Sequence, residues 1–160
     1  MTEESAKTIL DSLLPKSYEL NDILWGDGLE VEDGSDGNVR YRKVKSGQYA
    51  SVDDVYAAMG EVFSSEYVKS VKSSGIFTGN PDLGINPRYM MINGTLKRNN
   101  DYPVIDGFSE KNGKNDTSSV QIKKQNSHSA LLLLKYTDGG EKELTLVLEN
   151  GKWLINSPTY

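Results

Sequence analysis

The chain has 160 residues, 36% hydrophobic and 26% charged, a balance that suits one folded domain and excludes a wholly disordered polar chain. Its formal net charge of −5 argues against nucleic acid or an anionic membrane as partner, since both are recognised through clustered Lys and Arg. The absence of cysteine excludes disulfides and thiolate metal sites.

Ala6, Ile9, Leu10, Leu13 and Leu14 recur at three-and-four spacing, which predicts an amphipathic helix over 3–14 ended by Pro15. A second short helix is expected from Ser17, as N-cap, through Tyr18, Leu20, Ile23 and Leu24 to Trp25, with Gly26 as a left-handed C-terminal cap. Both should lie on the rest of the domain as a lid. Residues 27–38 read as a glycine-rich acidic loop and 39–45 as a strand. Arg40, Arg42, Lys43 and Lys45 alternate there with Val39, Tyr41 and Val44, the pattern of a solvated strand face rather than a phosphate track. Gly47 marks a turn.

Ser51 followed by Asp53 and Asp54 forms an N-cap with carboxylates in the first turn, and Val55, Met59, Val62 and Phe63 share the helical face that follows. Ser64 opens another helix carrying Glu66, Tyr67, Val68 and Val71, ended by Gly75, so helices cover about 52–74. Gly79, Pro81, Gly84 and Pro87 make 76–87 a loop. Asn93-Gly94 supplies the two positive φ angles of a tight hairpin between Tyr89–Ile92 and Thr95-Leu96-Lys97. Residues 99–117 are polar apart from Tyr102, Val104, Ile105 and Phe108, and are expected to be the most mobile segment.

Alternating strands then follow at 119–125, 129–136, 143–149 and 152–156, turned at Asp138-Gly139-Gly140 and Asn150-Gly151. With the hairpin they make a C-terminal antiparallel sheet over about 88–156. A one-residue slip would send Leu144, Leu146 and Leu148 to water, at a cost of about 1.5–3 kcal/mol per side chain. No apolar run reaches the ~20 residues that span a bilayer. The polar opening Thr2, Glu3, Glu4 and Ser5 is what would be expected of a chain trimmed behind an export signal.

Little in the sequence carries chemistry. His128, the one histidine, stands in the polar turn Asn126-Ser127-His128-Ser129 without partners for a triad or a histidine metal site. An EF-hand template begun at Asp33 places Ser35 third, Gly37 fifth and Asn38 where glycine belongs, with no glutamate twelfth, so the acidic loop is read as solvated. The pairs Asp53 with Asp54 and Asp27 with Glu30 read as a helix start and a turn rather than as acid–base machinery. Gly26-Asp27-Gly28 lacks the lysine and the strand-then-helix context of a phosphate loop. Asn93-Gly94-Thr95 and Asn115-Asp116-Thr117 match the glycosylation sequon, although the hairpin turn already accounts for Asn93.

Two N-terminal helices, a third helix over a strand and then a run of antiparallel strands is an order similar to that of the NTF2-like superfamily. In that resemblance, residues 6–14 and 55–63 match the helices and 120–155 the sheet. A narrower likeness lies in Gly47-Gln48-Tyr49-Ala50-Ser51-Val52-Asp53-Asp54, in Val62-Phe63-Ser64-Ser65-Glu66-Tyr67 and in Glu149-Asn150-Gly151-Lys152-Trp153-Leu154-Ile155. These stretches look like segments of small exported or lipid-anchored proteins of Gram-positive bacteria and, remotely, of secreted inhibitors of cell-wall DL-endopeptidases. The resemblance implies an α+β domain, helices packed on a curved antiparallel sheet in an NTF2-like (cystatin-like) cone, located in the cell envelope with a binding or inhibitory role. It transfers no functional residue, and the acid–base pair of the ketosteroid-isomerase branch has no counterpart here.

The expectation is therefore a single domain, 1–160, acting as a non-catalytic binding module without cofactor or metal. Its partner would be a small molecule or an envelope protein, held on the concave sheet face in a pocket including Trp25, Tyr56, Phe63, Met90 and Trp153. The chain would be a monomer or homodimer, extracellular or envelope-anchored, with the cytoplasm as alternative. Two other functions stay open: a protein inhibitor of a cell-wall hydrolase, and a small lyase or isomerase. A cone filled by Leu131 to Leu134 and the helix side chains would leave only an outer surface for protein contacts.

Overall fold

The computed structural model describes residues 1–33, 40–45, 47, 49–105 and 108–160. Expectations that rest on Ser35, Gly37, Asn38, Val39 or Gln48 lie outside them.

The two N-terminal helices expected on either side of Pro15 are one helix, α1, Glu3–Trp25, with Pro15 inside it. Proline removes one backbone bond and costs a helix interior about 3 kcal/mol. Pro15, however, faces solvent, while Leu10, Leu14, Leu20 and Leu24, each at most 2% exposed, continue the buried face past it with Ser17 and Asn21 among them. Burial at about 1.5–3 kcal/mol per leucine outweighs the lost bond. Thr2 caps the start in a reciprocal arrangement with Ser5.

Gly26 ends α1, but at φ −96° and ψ −137° rather than in the left-handed region. Glycine is needed there for space: a Cβ would clash with Asp22 Oδ1 and stand 2.6 Å from the Phe108 ring. The helix's last carbonyls are satisfied from afar instead. Arg88 Nε donates to the Ile23 carbonyl at 3.0 Å, Tyr89 Oη donates to the same oxygen at 2.8 Å, and Arg88 Nη2 donates to the Gly26 carbonyl. Arg88 is 2% exposed, so this charge is held by the negative end of the helix dipole and by the nearby Tyr89 and Tyr102 rings.

After β1, Tyr41–Lys43, come α2, Val52–Gly60, and α3, Ser65–Ser73. Ser51 caps α2 together with Asp54, and Ser64 accepts from the Tyr67 amide to start α3. A 3-10 turn, Pro81–Leu83, precedes β2, Tyr89–Ile92, and β3, Thr95–Asn99. A one-turn α4, Phe108–Lys111, leads to β4, Asn115–Gln125, β5, Ser129–Tyr136, β6, Glu141–Glu149, and β7, Lys152–Ile155. The segment expected to be polar and mobile thus holds the end of β3, all of α4 and the start of β4, because Phe108 is buried against Tyr160 with ring centroids 5.5 Å apart.

The strands of 88–156 divide between two antiparallel sheets. One has the order β1-β3-β2 and the other β4-β5-β6-β7. The hairpin β2–β3 pairs with β1, Tyr41 facing Asn99, and not with the C-terminal strands. Both asparagine–glycine turns form as the sequence predicts, with φ of 51° and 74° at Asn93 and Gly94 and of 50° and 79° at Asn150 and Gly151. The architecture is α+β, helices packed on a curved antiparallel sheet. Register shifts in β4 between Asp116 and Gln121 and between Ile122 and Lys124 supply local bends.

The core lies between α1 and α2 and the inner face of the larger sheet. There, Ala130, Leu132, Leu134, Leu144, Leu146 and Ile155 meet Leu10, Leu14, Val55, Met59 and Phe63, all at most 2% exposed. Beyond β7 the chain leaving α2 adds a short parallel contact: Ile155 N donates to the Val62 carbonyl and Ser64 N to the Ile155 carbonyl, both at 2.9 Å. No helix among the described residues is long and apolar enough to cross a membrane.

Candidate binding groove

The short contact between residues 62–64 and β7 brings α3 beside the β6–β7 hairpin. A groove of about 610 Å³ opens between them. Its floor is apolar, made by Val68 and the buried Leu154 over Phe63, which belongs to the core. Its rim is charged. Lys69 and Lys72 stand one turn apart on α3, and Glu61, Glu149 and Lys152 border the other side.

The two acids of the rim are already engaged. Glu61 Oε2 accepts from Lys152 Nζ at 3.2 Å. Glu149 holds the start of α3, its Oε2 accepting from the Ser65 amide and its Oε1 from the Ser65 hydroxyl, each at 3.1 Å. Lys72 Nζ lies 4.0 Å from the centroid of the Tyr56 ring. Burial raises the Tyr56 phenol above its ordinary value, and the Asp53 carboxylate adds to that. Tyr67, packed on Phe63 with centroids 4.8 Å apart, is raised much further by burial.

A second groove of about 490 Å³ lies along α1, where Ile23, Leu29 and Val44 are bordered by Glu19, Asp22 and Glu30. Glu30 pairs with Lys45 at 3.1 Å, and Tyr49 Oη donates to Glu19 at 3.2 Å. No group of three or more acidic or histidine side chains among the described residues could hold a metal ion.

The five residues expected to line one pocket are spread over the molecule. Phe63 forms the floor of the first groove, and Tyr56 reaches that groove's rim only through Lys72. Trp25 ends α1, its carbonyl accepting from the Ile105 amide. Met90 is half-buried on β2 opposite Lys97, and Trp153 is half-buried on β7 opposite Leu148. The remaining motifs are structural. His128 sits in an exposed turn with Nδ1 2.7 Å from the Ser127 hydroxyl. The Asp54 carboxylate accepts from the amides of Ala50 and Ser51, which holds its pKa below the usual range. Asn115, the second sequon asparagine, donates inward to Tyr18 Oη at 3.0 Å and to the Thr159 carbonyl at 2.7 Å.

Lys69, Lys72 and Val68 were not foreseen as site residues, because two lysines three apart on a short helix read as its solvated face. No protein-family model matches the chain, and no curated protein matches it at a significant level.

Proposed function

We propose that the chain is a non-catalytic binding module that engages a protein partner through its outer surface. The observation that carries this reading is the filling of the space between helices and sheet. Leu132, Leu134, Leu144 and Leu146 meet Leu10, Leu14 and Met59 there, each at most 2% exposed. An NTF2-like cone that holds a small molecule needs that volume empty. Two concavities among the described residues lie on the outside, and the one of about 610 Å³ has the apolar floor and charged rim of a protein-contact site.

The bacterial envelope is the proposed setting, on the likeness of residues 47–54, 62–67 and 149–155 to exported proteins. Inhibition of a cell-wall hydrolase is one form such binding takes, since a chain of net charge −5 is attracted to a basic enzyme surface. Affinity capture from a native envelope extract at low salt, run beside a thermal-shift screen of small molecules, tests the reading. The expected result is a retained protein that elutes with salt, and retention of a peptidase favours inhibition. A small molecule that raises Tm saturably while no protein is retained would overturn it.

A further inference from the structure

We infer that the groove between α3 and the β6–β7 hairpin docks an extended acidic peptide segment of the partner, an inference that rests on the protein-binding reading above. An apolar side chain of that segment sits on Val68 and the accessible edge of Leu154, above the buried Phe63, and its carboxylates meet Lys69 and Lys72.

Charge complementarity decides the occupant. Lys152 and Glu61 pair across 3.2 Å, and Glu149, hydrogen-bonded to the neutral Ser65 amide and hydroxyl, keeps its charge and offsets only one of the two remaining lysines. What the rim leaves over is positive: Lys69 and Lys72 are both exposed, and neither has a carboxylate within ion-pair distance among the described residues. The ring of Tyr56 under Lys72 Nζ attracts the ammonium without neutralising it.

The rest of the chain sharpens the effect. With a net charge of −5, the molecule repels an acidic segment at long range, so such a segment is retained only where a local positive excess coincides with an apolar floor. A basic segment meets the reverse: attraction to the molecule as a whole, but no uncommitted carboxylate in the groove. The volume of about 610 Å³ falls within the range of concave ligand sites.

The probes are a fluorescein-labelled hexapeptide alternating aspartate with leucine, its lysine–leucine counterpart, and phosphatidylglycerol vesicles. Binding is read by anisotropy or co-sedimentation at low salt and mapped on the amide resonances of the isotopically labelled chain. The acidic peptide is expected to bind and to shift amides of residues 65–72 and 149–154. Lys69→Glu combined with Lys72→Glu should weaken it about tenfold, while Lys123→Glu combined with Lys124→Glu on β4 should leave it unchanged. All four lysines are exposed, so unchanged Tm in both variants shows that the fold is intact.

Equal binding by both variants, shifts on another face, preference for the lysine peptide, or binding of vesicles alone each overturn the inference. A captured protein that cross-links to a different surface removes the groove inference and leaves the protein-binding reading standing. A chain that binds neither peptide nor any envelope protein removes both.

Discussion

The two sheets of this molecule hold together by different means. β4 to β7 form a meander in which each strand pairs with the next, and its stability comes from leucines facing α1 and α2. In the other sheet β3 is flanked by β2 and by β1, which lies on the far side of α2 and α3 in the chain. That sheet is anchored to the end of α1 by Arg88, Tyr89 and Arg98, whose donors reach the carbonyls of Ile23, Gly26, Asp27 and Leu29. The contrast separates a region assembled from neighbours in sequence and apolar burial from one assembled at a distance through directed polar bonds.

Leu144→Ala tests the apolar half most severely. Leu144 is fully buried opposite Leu132, and its truncation should cost about 2–5 kcal/mol, read from urea unfolding by tryptophan fluorescence. Arg88→Met tests the polar half. It strips charge-assisted bonds from the Ile23 and Gly26 carbonyls and should cost about 2–3 kcal/mol. Hydrogen exchange should then show β2 and β3 losing protection while β5 and β6 keep theirs. Equal loss in both sheets would mean that the contrast is one of construction only and not of stability.

Alkali should act on both regions, because each buries a phenol whose pKa burial raises, Tyr67 beside Phe63 and Tyr89 in β2. Both are neutral in the fold at ordinary pH. The unfolded chain ionises them near the ordinary phenol value of about 10, so their contribution is fully present below that pH and is lost as pH rises above it. For Tyr67 the loss should run at about 1.4 kcal/mol per pH unit until the folded phenol itself ionises, and Tyr67→Phe should make the decline shallower by one such increment. The smallest test compares the turns. Gly94→Ala and Gly151→Ala place a side chain at φ of 74° and 79° with no atom within 4 Å, so each should cost about 1 kcal/mol in backbone strain alone. Matching thermal shifts would show that identical turn chemistry serves both sheets, and a smaller shift at Gly94 would mark the distance-assembled sheet as the more adaptable.

Legibility in the sequence follows the same division. Leucine alternation, two asparagine–glycine turns and the serine caps at Ser51 and Ser64 are local signals, and the elements they predict are present. The continuity of α1 through Pro15 depends on which side of the helix the proline takes, and that is set by the core rather than by neighbouring residues. The pairing of β1 with β3 and the burial of Arg88 depend equally on where α1 ends. The groove was hidden for a related reason. Large apolar residues draw attention as pocket linings, yet Trp25, Met90 and Trp153 occupy separate places, while the exposed Lys69 and Lys72 border a groove only because the β6–β7 hairpin lies beside them.

The contact of residues 62–64 with β7 bears on self-association. Backbone groups of Ile155 that a neighbouring molecule's strand would recruit are taken by Val62 and Ser64, and at the opposite margin β4 is broken by two register shifts and carries Lys123 and Lys124. A ribbon blocked at one border and roughened at the other offers no flat template for continued strand addition, so concentrated solutions should resist growth into fibrils even though four consecutive leucines run through the middle of the sheet.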